Sequence, residues 1–129
     1  MAVIGLGIDL VDVARAARLL AAHEGRALVR LLTDAERAYL EGRENPAPHF
    51  AVRLAAKEAV YKALQSLPDA RAVGWREIEV VRADEGRPSI RLHGLAERIV
   101  GLAGRCEVHL SLTHTETSAA AVAVLERFD

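Results

Sequence analysis

The segment from Phe50 to Ala63, FAVRLAAKEAVYKA, constrains the fold more than any other part of the chain. At about 100° per residue, Val52, Ala56, Ala59, Val60 and Ala63 fall on one half of a helical wheel, and Arg53, Lys57, Glu58 and Lys62 on the other. The pattern predicts a helix from about His49 to Gln65, and its alanines permit close packing. The segment also holds both lysines of a chain that has fifteen arginines. Arginine's rigid fork suits bidentate contacts, whereas lysine is a compact point charge suited to a single phosphate oxygen. Taken alone, Glu58 and Lys62 form an i,i+4 surface pair worth about 0.2–0.5 kcal/mol.

The remaining elements are shorter. Val3 to Val11 is rich in β-branched residues and predicts a buried strand, interrupted by Gly5 and Gly7, with Asp9 near its carboxyl end. Asp12 is placed to cap a helix from Val13 to Ala22, which Gly25 ends. Thr33 and Glu36 have capping-box spacing for a short helix through Leu40, with Gly42 at its C-cap and a loop marked by Pro46 and Pro48. Glu77 to Arg82 and Ser89 to His93 read as a hairpin across residues 83–88, and Leu95 to Leu102 as a helix closed by Gly104. Glu107 to Thr113 alternates, with Val108, Leu110 and Leu112 on one face and His109, Ser111 and Thr113 on the other. Ser118 to Leu125 has alanines that favour helix and valines that favour strand; it is assigned as a strand paired across Thr115 to Thr117. Strands at both ends with helices between them indicate an α+β fold, an antiparallel sheet packed with helices. At 129 residues, 51% apolar and 27% charged, residues 1–129 are expected to form one domain.

Seventeen basic and eighteen acidic side chains give a formal charge of −1, so no global field favours nucleic acid or an anionic membrane. Cys106 is the only cysteine, which excludes an intramolecular disulfide or a CxxC pair and fits a small buried hydrophobe in a reducing compartment. The early Asp9 and Asp12 and the missing basic leader predict neither signal peptide nor membrane span, hence a cytoplasmic protein. Asp9 follows an apolar run with no basic neighbour. Two carboxylates from different elements, Asp9 and Glu58, can hold Mg²⁺ while water and phosphate oxygens fill the other positions, provided the fold brings them together. His109 and His114 lie five apart on or beside a strand, which puts them on opposite faces and argues against zinc. Ser111 lacks a nucleophile-elbow motif. His23, His49 and His93 read as surface or capping residues, and Trp75 as a core plug or rim residue.

With these residues assembled, the chain resembles the holo-[acyl-carrier-protein] synthase family of small phosphopantetheinyl transferases. Three motifs carry the resemblance in order: GLGIDLVDVAR from Gly5, FAVRLAAKEAVYKA from Phe50 and HLSLTH from His109. It implies a phosphopantetheinyl-transferase-like fold with one central helix carrying the site. It further implies Mg²⁺-dependent transfer of 4'-phosphopantetheine from coenzyme A to a serine of apo acyl carrier protein, in fatty acid biosynthesis. The implied assembly is a homotrimer with sites between subunits. By motif position, Asp9 and Glu58 match metal ligands, and Lys62 the partner of the pyrophosphate and leaving group. Arg53, Lys57 and His109 match positions near the coenzyme A phosphates, and Arg15 and Arg18 the basic helix that docks the carrier. Glu58 is the candidate base for the serine proton, directly or through a water.

The chain departs from the family pattern at Leu54, where an aromatic is usual, and at Gln65, where a glycine-containing turn is usual. Ala63, Leu64 and Gln65 are good helix formers, so the helix is expected to run past Gln65 with its side chain in solvent. A second reading stands beside the transferase: a non-catalytic module that grips an acidic protein through Arg15 and Arg18, with Glu58 and Lys62 a mere surface pair. Asp9 separates the two, because a docking module has no use for a carboxylate at the end of an apolar strand.

Overall fold

The computed structural model describes residues 1–82 and 86–129, with the side chains of His23 and Glu24 also outside the described set, so part of the hairpin turn expected at 83–88 and the role expected for His23 lie outside the described residues. Along the chain run β1 (Ala2–Asp12), α1 (Val13–Ala21), α2 (Arg26–Leu31), α3 (Asp34–Glu41), α4 (Pro46–Leu64), β2 (Ile78–Arg82), β3 (Pro88–Leu92), α5 (Gly94–Ala103), β4 (Arg105–His114) and β5 (Ser118–Phe128). The first sheet is antiparallel in the order β1-β5-β4, and β2 and β3 form a separate antiparallel pair. The ambiguous Ser118 segment is thus the central strand. Its register with both neighbours places Ala119, Ala121, Ala123 and Leu125 on the buried face.

α4 lies against that face and is buried nearly all round. Two differences from expectation follow at its ends. It begins at Pro46 rather than after the prolines, because the first turn leaves its N–H groups unpaired and loses nothing to proline there. It ends at Leu64, where Gln65 folds back and its amide donates to the carbonyls of Tyr61 (3.0 Å) and Ala70 (3.1 Å). Gln65 is exposed as expected, yet its amide ties the helix end to the following loop. The capping box of Thr33 and Glu36 on α3 is present as expected, whereas α2 is too short to show a period in the sequence.

β1 is an edge strand with two unlike faces, not a buried strand. Gly5, Gly7, Asp9 and Val11 face α4, while Leu6, Ile8 and Leu10 point outward and are 66%, 65% and 67% exposed. Cross-strand partners share a face, so Val122 of β5 and His109 and Ser111 of β4 stand on that same outer side. The inner glycines decide how near the strand comes to the helix. A Cβ built on Gly5 would lie 1.9 Å from the Ala63 carbonyl oxygen, and one on Gly7 1.8 Å from that of Ala59. Gly7→Ala is accordingly expected to cost at least about 1–3 kcal/mol and to push Asp9 away from α4. The urea midpoint should fall; a variant as stable as the parent would show that the approach is not tight.

Candidate active site

The close approach of β1 and α4 delivers Asp9 to the outer half of the helix. Lys62 Nζ donates to the Ile8 carbonyl at 2.9 Å and to Asp9 Oδ1 at 3.1 Å. The other carboxylate oxygen of Asp9, Oδ2, is buried and has no hydrogen-bond partner. Glu58 faces it. Burial, a hydrogen bond with Asp9 and the Asp9 charge push the Glu58 carboxyl up from its ordinary value, against the pull of Arg15 and Lys62. A bridge between two carboxyls needs a proton on one of them, so Oδ2 has no partner while both are ionised. Arg15 completes the group, its guanidinium 3.9 Å from Glu58 Oε1. A cavity of about 400 Å³ opens beside these residues, lined by Glu58, Lys62, Tyr61, Val73, Gly74 and Trp75 among others. Trp75 is a rim residue, 37% exposed.

The charged half of the wheel splits in two. Arg53 and Lys57 are separated from Glu58 and Lys62 by about 140° on the helix, and they face β2 and α3 instead. Lys57 is wholly buried: Nζ donates to the carbonyls of Ile78 (2.6 Å) and Trp75 (2.9 Å) and pairs with Glu36 Oε1 at 2.7 Å. Its three protons are committed. Burial lowers the Lys57 ammonium from its ordinary value, and Glu36 opposes that fall. Lys57, which the resemblance places near a phosphate, also lines the cavity beside Glu58 and Lys62; the capping role of Glu36 conceals its second one in the sequence, where Oε2 also accepts from the Val80 N–H at 2.8 Å. Thr33 links this pair to Glu79, its hydroxyl donating to Oε2 at 2.7 Å, while His93 bonds the other Glu79 oxygen at 2.9 Å.

Glu79 gives a prediction of its own. Burial would raise its carboxyl, but the bonds from Thr33 and His93 and the nearby charges of His93 and Arg91 hold it below the ordinary 4.5. A depressed carboxyl contributes stability above the unfolded value and loses it as pH falls through the folded one. The melting-temperature gap between the parent and Glu79→Gln should therefore be open at neutral pH and close below about pH 4.5; a gap independent of pH would contradict the pairing.

Arg53, 4% exposed, lines a different pocket, of about 230 Å³, with His49, Arg82 and His114. His49 is therefore part of a cationic pocket, not an isolated surface histidine. His109 stands across the sheet from Asp9, its Nε2 2.9 Å from Glu126 Oε1, so one copy of the chain does not bring it to Glu58. Arg18 is exposed on α1, and Arg15 borders an open groove with Arg30, Leu19, Leu31 and the buried Leu54. Among the described residues no three His, Cys, Asp or Glu side chains gather as a metal cage. The pair Asp9 and Glu58 instead offers oxygen donors, one of them unpaired, and leaves most coordination positions to other oxygens, as suits a hard divalent cation.

An α+β scaffold with two carboxylates and a lysine converging beside a cavity defines a site able to hold a cation and a polyanionic substrate together. The 4'-phosphopantetheinyl transferase superfamily matches residues 5–123. The holo-[acyl-carrier-protein] synthase of Anaeromyxobacter sp. (strain K) is 42% identical over 127 residues, 96% of each chain. The acyl carrier protein synthase of Mycobacterium tuberculosis superposes with a TM-score of 0.74 at 36% identity, covering 98% of this chain and 99% of that one. A holo-(acyl-carrier-protein) synthase from Bacillus anthracis, solved in complex with CoA (3',5'-ADP), gives 0.79 at 29% identity, covering 98% of each. The chain belongs to the holo-[acyl-carrier-protein] synthase family of 4'-phosphopantetheinyl transferases.

Proposed function

We propose that residues 1–129 act as one domain that transfers 4'-phosphopantetheine from coenzyme A to a serine of apo acyl carrier protein, releasing adenosine 3',5'-bisphosphate. We place the reaction in the cytoplasm, in fatty acid biosynthesis, with Mg²⁺ held by Asp9 and Glu58. The observation that carries this reading is the Asp9 carboxylate, its Oδ2 buried and unpaired, set beside Glu58 and Lys62. Bound there, Mg²⁺ would supply the charge that neutralises the pyrophosphate oxygens. Lys62, 53% exposed, turns from Asp9 to the phosphate as charge gathers on the departing group. The serine oxygen forms a bond to the phosphorus that carries the pantetheine arm, and the bond from that phosphorus to the adenosine-side phosphate breaks. Glu58 takes the serine proton, directly or through a water.

Incubating the chain with apo carrier, coenzyme A and Mg²⁺ should raise the carrier's intact mass by one phosphopantetheinyl group, and chelation should stop it. A carrier that is bound but never modified would favour the docking module and overturn the transferase.

The groove of Arg15, Arg30, Leu19 and Leu31 fits an acidic amphipathic helix of the carrier, with Arg18 on the same helix as Arg15. Because Arg15 touches Glu58, reversing its charge would add a third carboxylate to the site; Arg18→Glu tests docking more cleanly. It should raise KM for the carrier about fivefold, more at low salt, and leave KM for coenzyme A unchanged. Equal effects on both would remove Arg18 from the docking surface.

The outward face of Leu6, Ile8, Leu10 and Val122 supports assembly of copies through the sheet, and the resemblance implies three. Arg53 and Lys62 lie about 13–14 Å apart along α4, and the resemblance implies coenzyme A bound between copies. Sedimentation should give three times the 14.0 kDa chain mass; an active monomer would refute it.

A further inference from the structure

Tyr39 of α3 sits among three guanidinium groups. Arg53 lies 3.9 Å from its ring centroid, Arg43 4.2 Å and Arg82 5.5 Å, and Arg82 also donates a hydrogen bond to the Tyr39 hydroxyl. The His49 ring meets the Tyr39 ring edge-on at 5.7 Å. Cations held this near one another repel. The depressed basicity of His49, lowered first by burial and then by Arg53, Arg43 and Arg82, registers that crowding. An aromatic ring and its hydroxyl oxygen offset the repulsion, because the ring face and the lone pairs are both negative. The cluster also has unused capacity: Arg53 Nε is buried without a hydrogen-bond partner, and Arg53, Arg82, His49 and His114 line one pocket.

We infer that Tyr39 is a positioning residue: its ring gathers Arg43, Arg53 and Arg82 before ligand arrives, so that their pocket is preorganised for the doubly charged phosphate monoester of the nucleotide. The inference rests on reading Arg53 as a contact for the coenzyme A phosphates. With the pyrophosphate assigned to Lys62 at the other end of α4, the monoester is the phosphate left for the arginines. Tyr39 itself touches no reacting atom. Without it, the exposed Arg43 and Arg82 separate into solvent while Arg53 stays held by its bond to the His49 carbonyl, and binding the phosphate must gather them again.

The test is calorimetric titration with adenosine 3',5'-bisphosphate and with 5'-AMP, on the parent, Tyr39→Phe, Tyr39→Leu and Arg53→Gln, each checked for an unchanged circular dichroism spectrum. Tyr39→Leu should weaken the bisphosphate about tenfold and 5'-AMP less than about twofold. Tyr39→Phe, which keeps the ring and loses the bond from Arg82, should fall between it and the parent. KM for coenzyme A should rise in Tyr39→Leu with kcat nearly unchanged. If Arg53→Gln weakens the bisphosphate and Tyr39→Leu does not, the positioning role is overturned and the pocket assignment survives. If Arg53→Gln leaves both nucleotides unchanged, the pocket assignment itself is wrong. Equal loss of both nucleotides in Tyr39→Leu would assign Tyr39 a general structural part and overturn the inference.

Discussion

Glu58→Gln and Asp9→Asn are each expected to lower phosphopantetheine transfer by about three orders of magnitude at saturating coenzyme A. Each keeps the side-chain shape and removes one of the two charges that face each other. Neither should lower the melting temperature. Burial first and the Asp9 charge after it push the Glu58 carboxyl up, so neutralising either carboxylate relieves a cost of the charged pair. Initial rates and thermal melts on the same preparations separate the two effects. More than a tenth of parental activity in either variant would remove that residue from the site.

The second large effect is on stability. Lys57→Met leaves Glu36 charged and buried at 2% exposure, with only the N–H groups of Thr33 and Val80 to face it. Breaking a buried pair from one side costs about 3–5 kcal/mol, a large share of the roughly 5–15 kcal/mol that holds a domain of this size together. Urea unfolding should show that loss. The matching change at Lys62 should cost less: only the lysine end of its contact with Asp9 is half exposed, the Asp9 side chain being 10% exposed, so Lys62→Met should lose less stability than Lys57→Met and lose far more turnover. A Lys57→Met variant within about 1 kcal/mol of the parent would show that the buried ammonium is not paired as the distances indicate.

That contrast also marks where the sequence was legible. Helical periodicity found α4, yet a wheel divides residues only into apolar and charged halves. It could not show that Lys57 faces α3 and β2 while Lys62, only five residues on, faces β1, because the difference lies in which neighbours pack on each side. Asp9 was conspicuous because a carboxylate after an apolar run is costly unless it has a partner. The edge position of β1 was hidden for the same reason that it matters: an outward face as apolar as the inward one reads as burial. The six residues of α2, under two turns, leave no period to detect, and the prolines of α4 look like breakers in sequence although they occupy the one part of a helix that accepts them. Tyr39 carries no motif. Its importance comes from three arginines distributed over forty residues of sequence, which only the folded chain brings to one ring.

The central claim is that Asp9 and Glu58 together make a divalent-cation site at the reacting pyrophosphate. Calorimetric titration of Mg²⁺ into the protein saturated with coenzyme A tests it most directly. One site per chain is expected in the parent, none in Asp9→Asn or Glu58→Gln, and retention of the site in Lys62→Met. Undiminished Mg²⁺ binding in both carboxylate variants would contradict it.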